Sequence, residues 1–517
     1  MNRLCVHLIG AAVAATLASP VLAQSLTVSV AADVRSINPG VNRDDNTDDF
    51  VLQMVEGLVG YDEGGTPGPL LAEKIDVTPD GKTYTFTLRK GVKFHNGAPL
   101  TSADVVWSWN RYMDPKTDWR CLTEFDGRNG LKVEAVEAPD ANTVTMKLNA
   151  PNALFLDALA RTDCAMAGVI HKDSVKADGS FDKPIGTGPF KMGEWKRNEY
   201  FTMSAFADYV SPKTDGKIDG YLGSKRPLVK DVKFLIVRDP ATVKAGLLSG
   251  AIDMGGILNS DVDELRKAPS LTVQVGTNAV RHGLLIQTRD PLLKNVKLRQ
   301  AIAAAIDYDE LVSAASADLA KPNNSPLYPG SSYFGDVEKQ GFKYDPAQAK
   351  KLLQESGYKG ETITILANKR PTAVSFPQAV VAQSMLQAIG IKVEIEVLEW
   401  ATQLDRYNKG NYQMQAFSFS SRFDPALGFE QFSGNKDKQP RKIWEEPQAL
   451  ALIDKAMVVA DKAERQKLFD ELHKRYIADV PMIFTFNGVE PYALSKRVKG
   501  FQAWQSKQRM WEVTLAN

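Results

Sequence analysis

Few residues in this chain stand at spacings that support bond-making chemistry. Residues 185–193, IGTGPFKMG, place Gly186 and Gly188 at the interval used to cradle a dinucleotide phosphate. The next glycine comes five residues later rather than three, and a proline interrupts the backbone that would approach the phosphate, so cofactor binding is not expected there. SGYK (356–359) and SGNK (433–436) have the SxxK spacing of a serine–lysine acyl-transfer pair. The first falls at the end of a helical pattern, the wrong end for such a nucleophile, and both read as turns. There is no GxSxG elbow, phosphate-binding GxxxxGK loop or HExxH zinc helix. His95, His171, His282 and His473 are widely separated, with no cysteine or histidine at ligand spacing. Neither a metal nor a cofactor is expected.

The composition bounds what remains. The 517 residues carry 63 Lys+Arg against 62 Asp+Glu, a formal charge of +1. A chain this balanced lacks the basic surplus by which nucleic-acid binders displace counterions. With 44% apolar and 24% charged residues it has the make-up of a soluble globular protein, and its length calls for more than one core. The N-terminus has Arg3, an apolar stretch, a break at Pro20, and small residues Val21 and Ala23 at −3 and −1 of a cleavage site. This is the pattern of a secretory signal peptide over 1–23. Cys5 is too early to be a lipidated first residue, so no lipid anchor is expected. Cys121 and Cys164 then remain, in a compartment that permits disulfides. Pairing is the favoured expectation over two buried thiols; it closes a loop of about 43 residues and contributes roughly 4 kcal/mol.

The elements that position these residues alternate between strand and helix periodicity. Residues 47–58 have helical spacing, with Asn46 or Thr47 able to cap; KTYTFTLR (82–89) alternates as a half-buried strand. Thr101 and Ser102 before an acid open a helix over 100–113, and residues 131–148 read as two strands about a Pro-Asp turn. DVKFLIV (231–237) is a strand, followed by a helix with Pro240 at its start and Gly250 at its end. Residues 297–315 are expected as one long alanine-rich helix, and 345–358 as a helix capped by Asp345 and ended by Gly357. Such alternation argues for α/β lobes with crossover helices.

Several segments together carry a resemblance. SINPGVNRDDNTDDFVLQMVEGLVGYD, LRKGVKFHNGAPLTSADV, PIGTGPFKMGEWK, VRDPATVKAGLLSGAIDM and YDPAQAKKLLQESGY resemble the family-5 periplasmic solute-binding proteins of ABC importers, the dipeptide/oligopeptide-binding family. The likeness runs from about Ser36 to Phe501. It implies an α/β, two-lobed flytrap fold: lobe I over 24–278 plus 488–517, with an extra subdomain at about 66–185, and lobe II over 282–487. The crossings near 279–281 and 487–489 would form the hinge. It also implies a periplasmic protein that is no enzyme, expected as a monomer, handing its ligand to an inner-membrane permease and ATPase.

The resemblance suggests where ligand would lie. Trp400 in LEWATQL matches a tryptophan lining the side-chain pocket; Arg43, Asp45 and Asn46 belong to a loop crossing the ligand; Arg281 and Tyr328 border the cleft. In SSRFDP (420–425) the sequence departs from the family pattern. The aspartate that pairs with a peptide amine is replaced by Ser421, followed by Arg422, with Asp424 surviving before Pro425. Arginine's rigid, always-charged fork suits a carboxylate or phosphate. The expected ligand is a peptide or peptide-like solute presenting an anion to Arg422, with an amine left to Asp45 or Asp424. Opines, oligosaccharides or chelated nickel are the alternatives within the fold, and a secreted hydrolase is a remote one.

Overall fold

The computed structural model describes residues 25–516 apart from 43–44, 129, 371–372 and 506, with only the backbone given for Asp45 and Asn46. The leader expected over 1–23 lies outside the described residues.

One ten-stranded mixed sheet runs through the molecule, in the order 393–397, 363–367, 414–419, 271–286, 482–495, 254–256, 25–30, 231–236, 200–205, 190–196. Its two longest strands, Leu271–Ile286 and Met482–Ser495, pair antiparallel along most of their length. The Leu271 and Ser495 ends of this pair lie among the strands of one half, the Ile286 and Met482 ends among those of the second. Between the pairs Thr277–Val489 and Arg281–Asn487 the register breaks, so that residues 278–280 face Gly488 alone. A Cβ at Gly488 would collide with the Asn278 side chain. The backbone freed from the ladder is satisfied by side chains instead. Gln505 accepts from the Ala279 amide at 2.8 Å, the Asn278 side chain from the Val280 amide at 3.0 Å, and Asn487 donates to the Val280 carbonyl at 3.2 Å.

The cores divide along the same line. One cluster gathers apolar residues from Leu26 to Met254 and takes back the C-terminal Tyr492, Trp504, Met510 and Trp511. Two others fill the second half, one on each face of its sheet: Leu284, Ile365, Ala416 and Ile483 on one side, Leu285, Leu366, Phe417 and Phe484 on the other. Successive strand residues point to opposite faces, so near-continuous apolar strands are what a sheet covered on both sides requires. Within the first half, strands Ala72–Val77, Thr83–Leu88, Thr143–Leu148 and Val133–Asp140 make a separate four-stranded antiparallel sheet. A disulfide joins Cys121 to Cys164 beside the stacked pair Trp119–Phe125.

Local signals explain most element boundaries. Thr101 and Asp104 form a capping box at helix Ser102–Met113. Asp239 caps Pro240–Ser249, which ends at Gly250 in the left-handed region; Asp345 and Gly357 do the same for Pro346–Ser356. The long helix expected over 297–315 is two helices, Val296–Ala305 and Tyr308–Ser316. Asp307 takes an extended conformation and its carboxylate accepts the amides of Asp309 and Glu310, so the second helix starts afresh there.

A buried ion pair ties the first half together. Glu56 and Lys225 are both fully buried and 2.7 Å apart. Tyr209 and Thr187 donate to the same carboxylate, and the Lys225 ammonium lies 4.9 Å from the Trp511 ring. Burial alone would raise the Glu56 carboxyl, but the charges of Lys225 and Arg89 outweigh it and hold it below its usual range. Removing one member strands the other. Lys225→Met should therefore cost about 3–5 kcal/mol in chemical denaturation, and adding Glu56→Gln should recover part of that loss; equal stability of wild type and Lys225→Met would contradict this account.

Candidate functional site

The halves meet around the loop Ser420–Asp424. The Phe423 ring of the second half packs edge-on to Tyr61 at 4.7 Å between centroids and lies nearly parallel to Trp504 at 6.5 Å, both from the first half. Gly65, at φ +82°, makes room for it: a Cβ there would collide with the Phe423 ring. Further contacts cross nearby, from the Ala153 amide to the Met457 carbonyl at 3.3 Å, and between the Tyr328 and Thr277 hydroxyls at 3.3 Å.

Beside this aromatic junction lies a cavity of about 250 Å³ walled by both halves. The first half contributes Tyr61, Arg120, Asp157, Arg161, Asp163, Trp504, Gln505 and Lys507; the second contributes Ser420, Ser421, Arg422 and Leu427; Val280, from the broken ladder, completes the wall. Two larger clefts exist in the second half alone, of about 500 and 810 Å³. Only the cavity between the halves has walls whose separation changes if the halves move.

The charges in the wall are unequal. Asp163 is committed to Arg161 through two hydrogen bonds of 3.0 and 2.9 Å, with Arg120 at 3.7 Å. Burial opposes the Arg161 charge, but the hydrogen bonds and charge of Asp163 outweigh it and raise its pKa. Asp157 is buried on helix Phe155–Ala160 and accepts the Tyr61 hydroxyl at 2.9 Å. Burial, then the charge of Asp424 in the other half, raises its pKa to about 7. Arg422 donates Nη1 to the Ser421 carbonyl at 2.8 Å and the Ser420 hydroxyl at 3.2 Å, and among the described residues no carboxylate pairs with it. Burial, then the charge of Arg161, lowers its pKa. Arg422 is thus the cation at the edge of this space that, among the described residues, has no carboxylate at ion-pair distance.

Of the residues expected from the sequence, Ser421 and Arg422 are in this wall. Arg43 lies outside the described residues, as do the side chains of Asp45 and Asn46, which begin helix Asp45–Met54. Arg281, expected to face the cleft, is instead 2% exposed inside the second half, donating to the Pro326 and Gly428 carbonyls and to Gln431. Its burial lowers its pKa to about 9. Asp424 holds Arg465 through two bonds of 2.8 Å and caps helix Pro425–Glu430, which commits its oxygens to the second half's own structure. Trp400 is half-buried against Phe417, under the Arg370 guanidinium at 4.3 Å, and does not line the cavity. Tyr328 approaches the crossing strand at Thr277 rather than the cavity.

Sequence reasoning missed Tyr61, Asp157, Arg161, Phe423 and Trp504. A signal existed for one of them: Asp157 is the single charged residue between Lys147 and Arg161, in the apolar run ALFLDALA. A lone acid in such a run is either paired or functional.

Core clusters on either side of a broken ladder in one shared sheet, with a cavity at their junction, make a two-lobed α/β architecture. The chain belongs to the bacterial extracellular solute-binding proteins of family 5, whose family model ("Bacterial extracellular solute-binding proteins, family 5 Middle") matches residues 66–440. The dipeptide-binding protein of Escherichia coli K12 is 28% identical over 531 residues, covering 95% of this chain and 94% of that protein. Among solved structures, the PBP AgaA from A. tumefacien R10 in complex with agropinic acid is 27% identical with a TM-score of 0.71, covering 96% of this chain and 99% of that one. HbpA2 from Haemophilus parasuis is 25% identical with a TM-score of 0.81, covering 96% and 100%.

The Asp157 shift has a definite sign. A carboxyl whose pKa is higher in the folded protein than in the unfolded chain binds more protons when folded. Its contribution is therefore most favourable below the unfolded value near 3.8 and is lost as pH rises towards about 7. Asp157→Asn, which stays neutral, should gain stability relative to wild type between pH 5 and pH 8, by at most ~1.4 kcal/mol per pH unit. Melting curves that stay parallel across this range would show that Asp157 is ionised in the fold.

Proposed function

We propose that this chain is the extracytoplasmic binding component of an ABC importer. It takes a peptide or peptide-like solute bearing a carboxylate into the cavity between its halves and delivers it unchanged to a membrane permease and its ATPase. Family membership, the leader-like N-terminus and the relative named as a dipeptide-binding protein support this reading. The observation that carries the ligand class is Arg422, a guanidinium in the cavity wall with no carboxylate partner among the described residues, beside Arg161. A ligand carboxylate would supply the missing charge, and the hydrogen bonds it forms would be charge-assisted.

Size narrows the class. About 250 Å³ is just below the usual range for drug-sized ligands, which favours a solute of dipeptide dimensions over a long peptide. Ligand touching Arg422 on one side and Tyr61, Arg161 or Trp504 on the other would favour the closed arrangement by its differential contacts. The register break at 278–280 and 488 serves as the hinge in this scheme. In this scheme the chain works as a monomer. A second reading, an opine, is favoured by the cation surplus and by the loss of an amine-pairing acid at Ser421. The neighbour holding agropinic acid supports it further.

Isothermal titration with dipeptides, their C-terminal amides and their N-acetyl forms tests this. Arg422→Ala should weaken free-carboxylate ligands about 10- to 100-fold, the equivalent of a charged hydrogen bond, and leave the amides little changed. Unchanged affinity for every carboxylate ligand that binds would refute the assignment. Acetylation separates the two solutes, since a peptide held by its amine loses affinity and an opine-like site does not discriminate.

A further inference from the structure

The cleft of about 500 Å³ in the second half carries a charge the transport reading does not use. It lies on the sheet face bearing Thr364, Leu366 and Glu396, and its wall includes Gln287, Tyr412 and Lys436. Its other cations are neutralised by protein. Arg289 meets Asp437 at 2.6 Å and Glu445 at 2.7 Å; Arg406 meets Glu396 at 3.0 Å; Lys409 meets Asp405 at 2.8 Å.

Lys436 differs from them. It is 3% exposed, and its ammonium donates to two uncharged oxygens, Gln287 Oε1 at 2.5 Å and Thr288 Oγ1 at 2.8 Å. Among the described residues no carboxylate forms an ion pair with it. An ammonium has three donors, so these acceptors leave one over. Burial lowers its pKa to about 8; Glu445 opposes the shift, and Arg289 and Arg299 add to it. A buried cation without a counter-charge is costly, and a neutral side chain of the same length would avoid the cost. A second donor stands in the same wall. The Tyr412 hydroxyl is buried with no hydrogen bond of acceptable geometry, the Gln415 amide being its polar neighbour.

We propose that this cleft is a second binding site, distinct from the one between the halves, for a small solute bearing an oxyanion, held by the Lys436 ammonium and the Tyr412 hydroxyl. Its volume lies within the usual range for small-molecule sites. The oxyanion supplies the charge that Lys436 lacks and takes up its remaining donor.

The test is thermal unfolding of the full mature chain at pH 7 with inorganic phosphate, malonate or chloride at matched ionic strength. Phosphate or malonate should raise Tm by about 2 °C or more where chloride does not, and the stronger of the two distinguishes a phosphate site from a carboxylate site. Lys436→Met should lose this increment while melting, without anion, at or above the wild-type temperature. Lys436→Gln guards against a folding defect peculiar to methionine. Arg422→Ala should keep the part of the increment that the Lys436 variants lose, and wild type at pH 9.5 should lose that part as the ammonium deprotonates. The proposal fails if wild type and both Lys436 variants respond equally, if neither anion acts at 100 mM, or if Arg422→Ala abolishes the response.

Discussion

The molecule depends on one imperfect ladder. Leu271–Ile286 and Met482–Ser495 carry the chain between the halves, and a fully hydrogen-bonded pair of this length would lock them into one rigid sheet. Three residues facing one interrupt the pairing, and a β-irregularity of this kind increases local twist and releases backbone groups. Those groups are taken by Asn278, Asn487 and Gln505, whose side chains can rotate where a ladder cannot. The interruption is also beside the cavity between the halves, since Val280 and Gln505 both line it. The break in the ladder and the wall of that cavity share these residues.

Electrostatics in the cavity follow from its position. A group placed between two bodies loses water when they approach, so its charge must be balanced from the opposite wall or from something enclosed. Asp163 is balanced by Arg161 within the first half, and Asp424 by Arg465 within the second. Asp157 and Arg422 are left, one with a proton affinity raised by burial and the other without an acid. These two residues face the space from opposite halves.

Much of the architecture was legible because local rules coincide with global ones. Asp345, Pro346 and Gly357 punctuate a helix whatever surrounds it, and the apolar strands declare a sheet covered on both faces. The break at Asp307 escaped because IAAAIDYDELV keeps helical periodicity through a residue that turns out to cap. The site was only half legible. Arg422 was visible as a departure from a family pattern, whereas Arg281 looked equally suited to the cleft and is a buried strut. Charge type does not reveal which way a strand residue points when a register break intervenes. Tyr61, Phe423 and Trp504 come from three segments far apart in the chain, and only tertiary packing brings their rings together.

The bond between Cys121 and Cys164 bears on binding as well as on the fold. Arg120 and Asp163 are the immediate chain neighbours of those cysteines, so the crosslink staples the two strands of chain that present the cationic side of the cavity. With the sulfurs reduced, this rim would be held by packing and by side-chain pairs such as Arg120 with Asp163.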